Sequence, residues 1–192
     1  MKQQIQWFKE QLKQKKFRIL LILLILVLVG FIAEFSLFQY GFLKILRYLI
    51  LLTGLFLIAW IDQKEKRIPN KILIILLILR VFILAAEWLM YPEFGLSMAF
   101  SAGLGMLFGG GLFFVAYLVS RGGIGFGDVK LFAVIGIYMG SGSIFSVVFL
   151  TVVVSAVYSI VMLILKKIKL KEEIPFAPFV LIGAILSMAL GM

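Results

Sequence analysis

The sequence predicts an all-α fold, a polytopic membrane helix bundle with about seven transmembrane helices. Of its 192 residues, 64% are hydrophobic, and the mean hydropathy is +1.17. Soluble domains average about 45–50% apolar residues, so a soluble fold of this length would leave too much apolar surface in water. The apolar residues also form long runs, and each helix that crosses a bilayer needs about 20 of them. Because backbone groups in lipid must bond internally, these runs are expected to be helices.

Seven apolar runs follow one another along the chain. They occupy residues 17–38, 41–61, 72–90, 96–119, 128–140, 143–165 and 174–190. After Arg18, the first is interrupted only by Glu34, and the second ends just before Asp62. The third contains Arg80, which could pair with Glu87 or with an aspartate, or extend to the membrane interface; the sequence does not decide between these roles. The fourth is rich in small residues. Its Gly105 and Gly109 have the spacing that lets helices pack closely in lipid, although a hinge or a substrate path is an alternative.

The remaining runs complete a single predicted domain. The fifth is shorter than a bilayer requires unless it continues into its flanks, whereas the sixth and seventh approach full length. The first run is too long for the apolar region of a removable signal peptide, so it is expected to be retained. We therefore predict one membrane-embedded domain over residues 1–192, with a basic cytoplasmic segment at 1–16 and an additional first span at 17–38.

Charge predicts which side of the membrane each loop faces. The net charge is +10, from 19 Lys and Arg against 9 Asp and Glu. In a soluble protein this excess would indicate nucleic acid; here the cations flank apolar runs, so no nucleic-acid partner is expected. Sixteen of the 19 lie at 2–18, 63–71, 121–130 and 166–171. Alternating spans put these segments on one face, which the positive-inside rule makes cytoplasmic, beside anionic lipid headgroups. The protein is thus expected in the cell membrane with a cytoplasmic N-terminus and an external C-terminus.

The chain contains no Cys and no His, and this restricts its chemistry. Cysteine nucleophiles, zinc sites built on Cys or His, and serine–histidine systems are excluded. Asp62 and Asp128 both lie at the predicted cytoplasmic boundary. Taken singly, Asp62 is explained as a helix-end anion beside basic residues, and Asp128 as an N-cap. Taken together, they form a carboxyl pair that can activate water for peptide hydrolysis without a metal or a cofactor.

Three short motifs accompany these aspartates. Glycines before Asp128 permit close backbone approach, which an extended peptide substrate requires, and the pattern is not that of a nucleotide-binding loop. The motifs are Asp62 with Arg67-Ile68-Pro69-Asn70, then Gly125-Phe126-Gly127-Asp128-Val129-Lys130-Leu131, then Ile174-Pro175-Phe176-Ala177-Pro178-Phe179. In this order they resemble the motifs of the prepilin peptidase family, membrane aspartic peptidases with a GxGD signature. The resemblance extends from about Leu43 to the C-terminus.

The resemblance implies an aspartic endopeptidase that acts on type IV prepilins and related pseudopilins. It would remove their short basic leader at the cytoplasmic face, just before a hydrophobic helix. It implies that Asp62 and Asp128 are the catalytic residues, without telling which one is protonated. Many bacterial relatives also methylate the new N-terminus and carry paired cysteines in a cytoplasmic insertion, so this Cys-free chain is expected to be a peptidase only. The particular substrate and the oligomeric state are left open.

Seven further residues are candidates for shaping the site or contacting substrate. Pro69 and Asn70 are also expected to stop one helix and cap the next, and the two later prolines to shape the start of the last helix. Lys130 either influences Asp128 or, as we favour, binds lipid phosphate and marks topology. The seven are Gly125, Gly127, Pro69, Asn70, Lys130, Pro175 and Pro178.

Two other functions are compatible with the boundary aspartates. A presenilin-like intramembrane protease shares the GxGD element, but it places Tyr before its first aspartate, where this chain has Ile61. A proton-coupled transporter or a non-enzymatic membrane scaffold would also carry carboxylates at membrane depth. Transporters usually show interrupted helices in two related halves, and this sequence shows no such symmetry.

Overall fold

The computed structural model describes residues 11, 14–37, 41–120, 123–167 and 174–191. Within these ranges every regular element is a helix. Five of the helices are long and apolar enough to cross a membrane, and the last is shorter. The predicted all-α class is confirmed, and the chain is a multi-pass membrane protein. The helices are α1 (Lys15–Leu37), α2 (Phe42–Glu65), α3 (Asn70–Met90), α4 (Pro92–Ser120), α5 (Phe126–Ile164) and α6 (Ala177–Ala189).

The chain divides into two compact units, Met1–Ile45 and Leu46–Met192. The first unit contains α1, in which Phe17, Leu24 and Phe31 are buried. These residues recur every seven positions, which places them on one face of the helix. The second unit contains most of α2 and all of α3 to α6, and both aspartates belong to it.

Two helix boundaries differ from the predicted ones. Helix α2 continues to Glu65, so Asp62 lies inside the helix instead of following it. The last helix begins at Ala177, not at Ile174, because a residue that precedes proline, as Ile174 precedes Pro175, is disfavoured in the α conformation. Several cations that predict topology lie outside the described residues, so the cytoplasmic orientation stays a prediction. They are Lys2, Lys9, Lys13, Arg121, Lys169 and Lys171.

Helix α5 is a hairpin. With 39 residues it would be about 58 Å long if straight, and it is broken at Gly140, whose φ of 80° and ψ of 176° are not helical. A Cβ on Gly109 of α4 would lie 2.5 Å from the Phe132 carbonyl oxygen and 3.1 Å from Ile144 Cδ1. On a straight helix these two residues would be about 18 Å apart, so the chain folds back. The short limb α5a (126–139) and the long limb α5b (141–164) correspond to the predicted fifth and sixth runs.

Limb α5a packs on α4 through backbone contact at glycines. A Cβ on Gly105 would meet the backbone of Gly136 and Gly140, and one on Gly136 would meet the backbone of Gly105. By contrast, nothing lies within 4 Å of the Cβ position of Gly103, two residues earlier on α4. The close packing predicted from the Gly105/Gly109 spacing is therefore present.

Replacing Gly105 by Ala is expected to destabilise the bundle by about 1–3 kcal/mol, because the new methyl group must separate two helix backbones. The thermal unfolding midpoint in detergent measures this effect. Gly103→Ala is the matched control: its methyl group meets no atom within 4 Å, and Ala is a better helix former than Gly. An equal loss of stability in both variants would contradict the packing described here.

Candidate active site

Asp62 lies on the buried face of α2. Leu51, Leu55 and Ile58 have none of their surface exposed, and spacings of three and four residues place them on one stripe of the helix. Asp62 continues that stripe one turn further and is 6% exposed. Its carboxyl therefore points into the bundle, unlike the carboxyl of a solvated helix-end anion.

The start of α6 holds the carboxyl of Asp62. The amide of Ala177 donates to Asp62 Oδ2 at 2.9 Å, and the amide of Phe176 also hydrogen-bonds to this carboxyl. The first amides of a helix have no intrahelical acceptor, and they lie at the positive end of the helix dipole. Pro178, the next residue, has no N–H to offer. The third motif thus supplies backbone donors to the first aspartate.

Asp128 lies in the first turn of α5a, three residues after the N-cap residue Gly125. The amide of Asp128 donates to the Gly125 carbonyl at 3.0 Å, and the Gly125 amide donates back to the Asp128 carboxyl. An acidic side chain that reaches back to the N-cap amide is half of a capping box, so the interpretation of Asp128 as the N-cap itself is wrong. A Cβ on Gly125 would lie 3.4 Å from Asp128 Oδ2, in van der Waals contact with that carboxyl.

The fold brings the two carboxyl groups close enough for their charges to interact, although α2 and α5a are distant in sequence. Their surroundings differ. Asp62 is buried and accepts amide donors from α6, whereas Asp128 is partly exposed and accepts one from its own helix start. Two neighbouring carboxyl groups that share one proton can supply one acid and one base at the same place.

The first two motifs also pack against each other. A Cβ on Gly127 would lie 3.2 Å from the Cβ of Ile68, so the glycine segment lies directly on the loop between α2 and α3. Lys130 Nζ donates to Asn70 Oδ1 at 3.2 Å. Pro69 is the N-cap residue of α3 but makes no side-chain cap bond. Asn70 is therefore the first residue of α3. Its side chain links the two motifs, so the prediction that it caps the helix is wrong.

Aromatic packing anchors the third motif. The ring of Phe176 lies 5.9 Å from that of Phe113 and 6.2 Å from that of Phe132, measured between centroids. Phe113 and Phe132 stack at 3.7 Å between α4 and α5a. Pro175 and Pro178 are half-buried on either side of Phe176 and Ala177. The two prolines bracket the backbone that bonds to Asp62, and their role in shaping it stays a prediction.

A groove of about 380 Å³ opens beside the second aspartate motif. Its polar end is formed by Asn70 and Lys130, the two residues that hydrogen-bond to each other. Its apolar walls come from α3, α4 and α5a. These walls are Leu73, Ile74, Leu77, Met106, Ala133 and Val134.

Comparison with known proteins assigns the chain to a family. A model of the type IV leader peptidase family matches residues 49–160, a range that includes both aspartates. The chain belongs to the type IV leader peptidase family. The resemblance to prepilin peptidases stated from the motifs is confirmed.

One relative of the chain is the prepilin leader peptidase/N-methyltransferase of Bacillus subtilis (strain 168). The two are 31% identical over 142 residues, which make up 74% of this chain and 54% of the relative. The chain thus spans about half the length of that relative. No solved structure matches the chain.

Sequence reasoning located both aspartates and all three motifs, but it missed the groups that hold the first carboxyl. These are the amides of Phe176 and Ala177, and a backbone donor leaves no side-chain signal in a sequence. The only available signal was the pair of prolines that brackets them. Lys130 bonds to Asn70, and its predicted interaction with lipid phosphate stays a prediction.

Proposed function

We propose that this protein is a membrane aspartic endopeptidase that removes the short basic leader of type IV prepilin-like proteins at the cytoplasmic face. The observation that carries the proposal is the nearness of Asp62 to Asp128, whose segments meet where Gly127 lies against Ile68. Each belongs to a different motif of the family, and each is held by backbone amides at a helix start. Membership in a leader peptidase family supports the substrate class.

The carboxyl pair performs general acid–base hydrolysis. The ionised carboxyl takes a proton from water as the water oxygen attacks the carbonyl carbon of the scissile peptide. The protonated carboxyl gives its proton to the carbonyl oxygen, which forms a tetrahedral diol. The carbon–nitrogen bond then breaks as the newly protonated carboxyl gives its proton to the leaving amine. The other, now ionised, carboxyl takes a proton from a hydroxyl of the diol, which forms the new carboxyl group and restores the pair. The bond from the Ala177 amide to Oδ2 orients the Asp62 carboxyl through these transfers.

The groove beside the second motif suits the part of the substrate that follows the cleavage site and enters the membrane. A prepilin-like substrate continues from its leader into a hydrophobic helix, so its first apolar residues need an apolar path away from the catalytic pair. The groove begins at Lys130, two residues after Asp128, and continues along α3 as far as Leu77. We assign these first apolar residues to the groove.

Leu77→Trp is expected to fill part of the groove and to raise KM for a prepilin-like substrate about tenfold, while kcat stays nearly constant, because only binding is impaired. Ile78→Trp is the matched control. Ile78 is 51% exposed on the same helix and does not line the groove. Cleavage kinetics in proteoliposomes measure both variants. Equal KM values for the two would exclude the groove as the path of the substrate.

The proposed function is tested by co-expressing the chain with a prepilin-like protein and determining the N-terminus of the product by mass spectrometry. Cleavage at the end of the basic leader, without methylation, is the expected result. Cleavage in the middle of the hydrophobic helix would indicate a presenilin-like protease instead. Absence of any cleavage, together with proton-coupled flux in proteoliposomes, would indicate a transporter.

A further inference from the structure

Helix α3 carries two buried charges that the catalytic pair does not use. Arg80 is 1% exposed and Glu87 is 4% exposed, and they form an ion pair with Arg80 Nη1 at 2.8 Å from Glu87 Oε2. Glu87 Oε1 also accepts a bond from Arg47 Nη1 at 3.2 Å. A charge at membrane depth costs at least about 2.5 kcal/mol, so a functional role is the default expectation.

Arg80 replaces a helical hydrogen bond that the hairpin breaks. In a continuous helix the carbonyl of Ile137 would accept the amide of Ser141. The turn at Gly140 prevents this, and the Ser141 amide donates to Ser101 Oγ at 3.2 Å instead. Arg80 Nε donates to the Ile137 carbonyl oxygen at 2.9 Å. A cation is favourable at this point because the last carbonyls of a helix carry the negative end of its dipole.

The same helix holds limb α5a at three depths. Near the active site, Asn70 accepts the bond from Lys130. In the middle, the carbonyl of Leu76 accepts the hydroxyl of Tyr138 at 2.7 Å. At the far end Arg80 binds the limb terminus, with its guanidinium 6.0 Å from the Tyr138 ring centroid. Because α5a carries Asp128 in its first turn, its position along α3 decides where that carboxyl lies.

We propose that Arg80 is a positioning residue for Asp128. By bonding to the Ile137 carbonyl, with Glu87 as its counter-ion, Arg80 sets the axial position of α5a and thereby the approach of Asp128 to Asp62. This inference rests on the proposed function for its kinetic consequence, but its structural consequence can be measured without any peptidase activity.

The kinetic test is the double variant Arg80→Met/Glu87→Met, which removes the ion pair without leaving a buried carboxylate unpaired. It is expected to lower kcat for leader cleavage about 10- to 100-fold, because a displacement near 1 Å costs on that order, with little change in KM. Arg80→Lys keeps a cationic donor and is expected to restore most of kcat. Arg47→Met is the matched control, since it removes a bond to Glu87 but does not touch Ile137.

The structural test uses the absence of Cys from the chain. Spin labels on Lys64→Cys in α2 and Phe126→Cys in α5a, both at exposed positions, report the distance between the two aspartate-bearing segments. The distance distribution is expected to shift or broaden in the Arg80→Met/Glu87→Met background and to be retained with Arg80→Lys. If the double variant does not accumulate, kcat and the distance between the labels are measured in Glu87→Gln instead, and smaller changes in both are expected.

An unchanged kcat and an unchanged distance in the double variant would overturn the positioning role. So would a loss of folded protein while the remaining protein retains full kcat and the original distance, because that result describes a purely stabilising residue. If the unmodified chain cleaves no leader, but the distance between the labels still changes in the double variant, the proposed function fails and the positioning role of Arg80 stands.

Discussion

Asparagine in place of Asp62 or Asp128 is expected to slow leader cleavage by about 10²–10⁴-fold, the contribution typical of general acid–base catalysis. An asparagine side chain at position 62 can still accept the Ala177 amide bond that Asp62 Oδ2 accepts at 2.9 Å, so the start of α6 keeps its partner. The amide can neither take a proton from water nor supply one to the substrate carbonyl. The rate of conversion of a prepilin-like protein, followed by gel mobility and product mass, measures the effect.

Glu65→Gln is the matched acid-to-amide control. Glu65 lies three residues after Asp62 on the same helix, and its carboxylate pairs with Arg67 at 2.6 Å on an exposed surface. Exposed substitutions of this kind usually change stability by less than about 0.5 kcal/mol, so cleavage should remain within about twofold of the original rate. Cleavage at the original rate by either asparagine variant would refute the two-carboxyl mechanism.

Ala177→Pro is expected to remove the N–H that bonds to Asp62, because proline has no N–H. Proline is favoured at the first helical position, but it also disfavours the α conformation of Phe176, the residue before it. Loss of a hydrogen bond to a charged group costs about 1.5–3 kcal/mol. If this hydrogen bond is needed to orient the Asp62 carboxyl in the transition state, the rate of cleavage falls about 10- to 100-fold. Because Ala177 is fully buried, the added ring also displaces the carboxyl.

Ala177→Gly serves as the control because it removes the methyl group but keeps the amide donor. It is expected to cleave at nearly the original rate. Comparable losses in the proline and glycine variants would show that packing of the Ala177 methyl group, and not the hydrogen bond to Asp62, is what matters. Thermal unfolding of both variants separates this packing effect from a change in catalysis alone.

Which face of each helix would be buried could not be predicted from the sequence. A surface helix of a soluble protein has a polar face and an apolar face, and the period at which its apolar residues recur reveals the buried face. The helices here are apolar all round, because lipid covers the outer face as readily as protein covers the inner one. The sequence around Leu51, Leu55 and Ile58 therefore does not distinguish the stripe that leads to Asp62 from its lipid-facing neighbours. Only helix packing shows that this stripe faces the interior.

Arg80 illustrates the same limit at a single residue. Its charge at mid-span marked it as unusual, but its partner is the carbonyl of Ile137, which is free only because the chain turns at Gly140. The positive φ that makes the turn is available to glycine at little cost, yet α5 contains several glycines. The predicted fifth run ends at Gly140, but the sequence does not show that the Ile137 carbonyl left free by this turn lies beside Arg80.

By itself, the sequence determined the membrane-helical class, the order of the helices, the two aspartates and the three motifs, because hydropathy and short motifs are local properties. The tertiary structure decided that the start of α6 donates amides to Asp62 and that α3 holds the limb carrying Asp128. These features depend on contacts between helices far apart in the chain. Backbone amides and carbonyls make most of those contacts, and every residue except proline carries both groups, so the sequence does not show which of them pair.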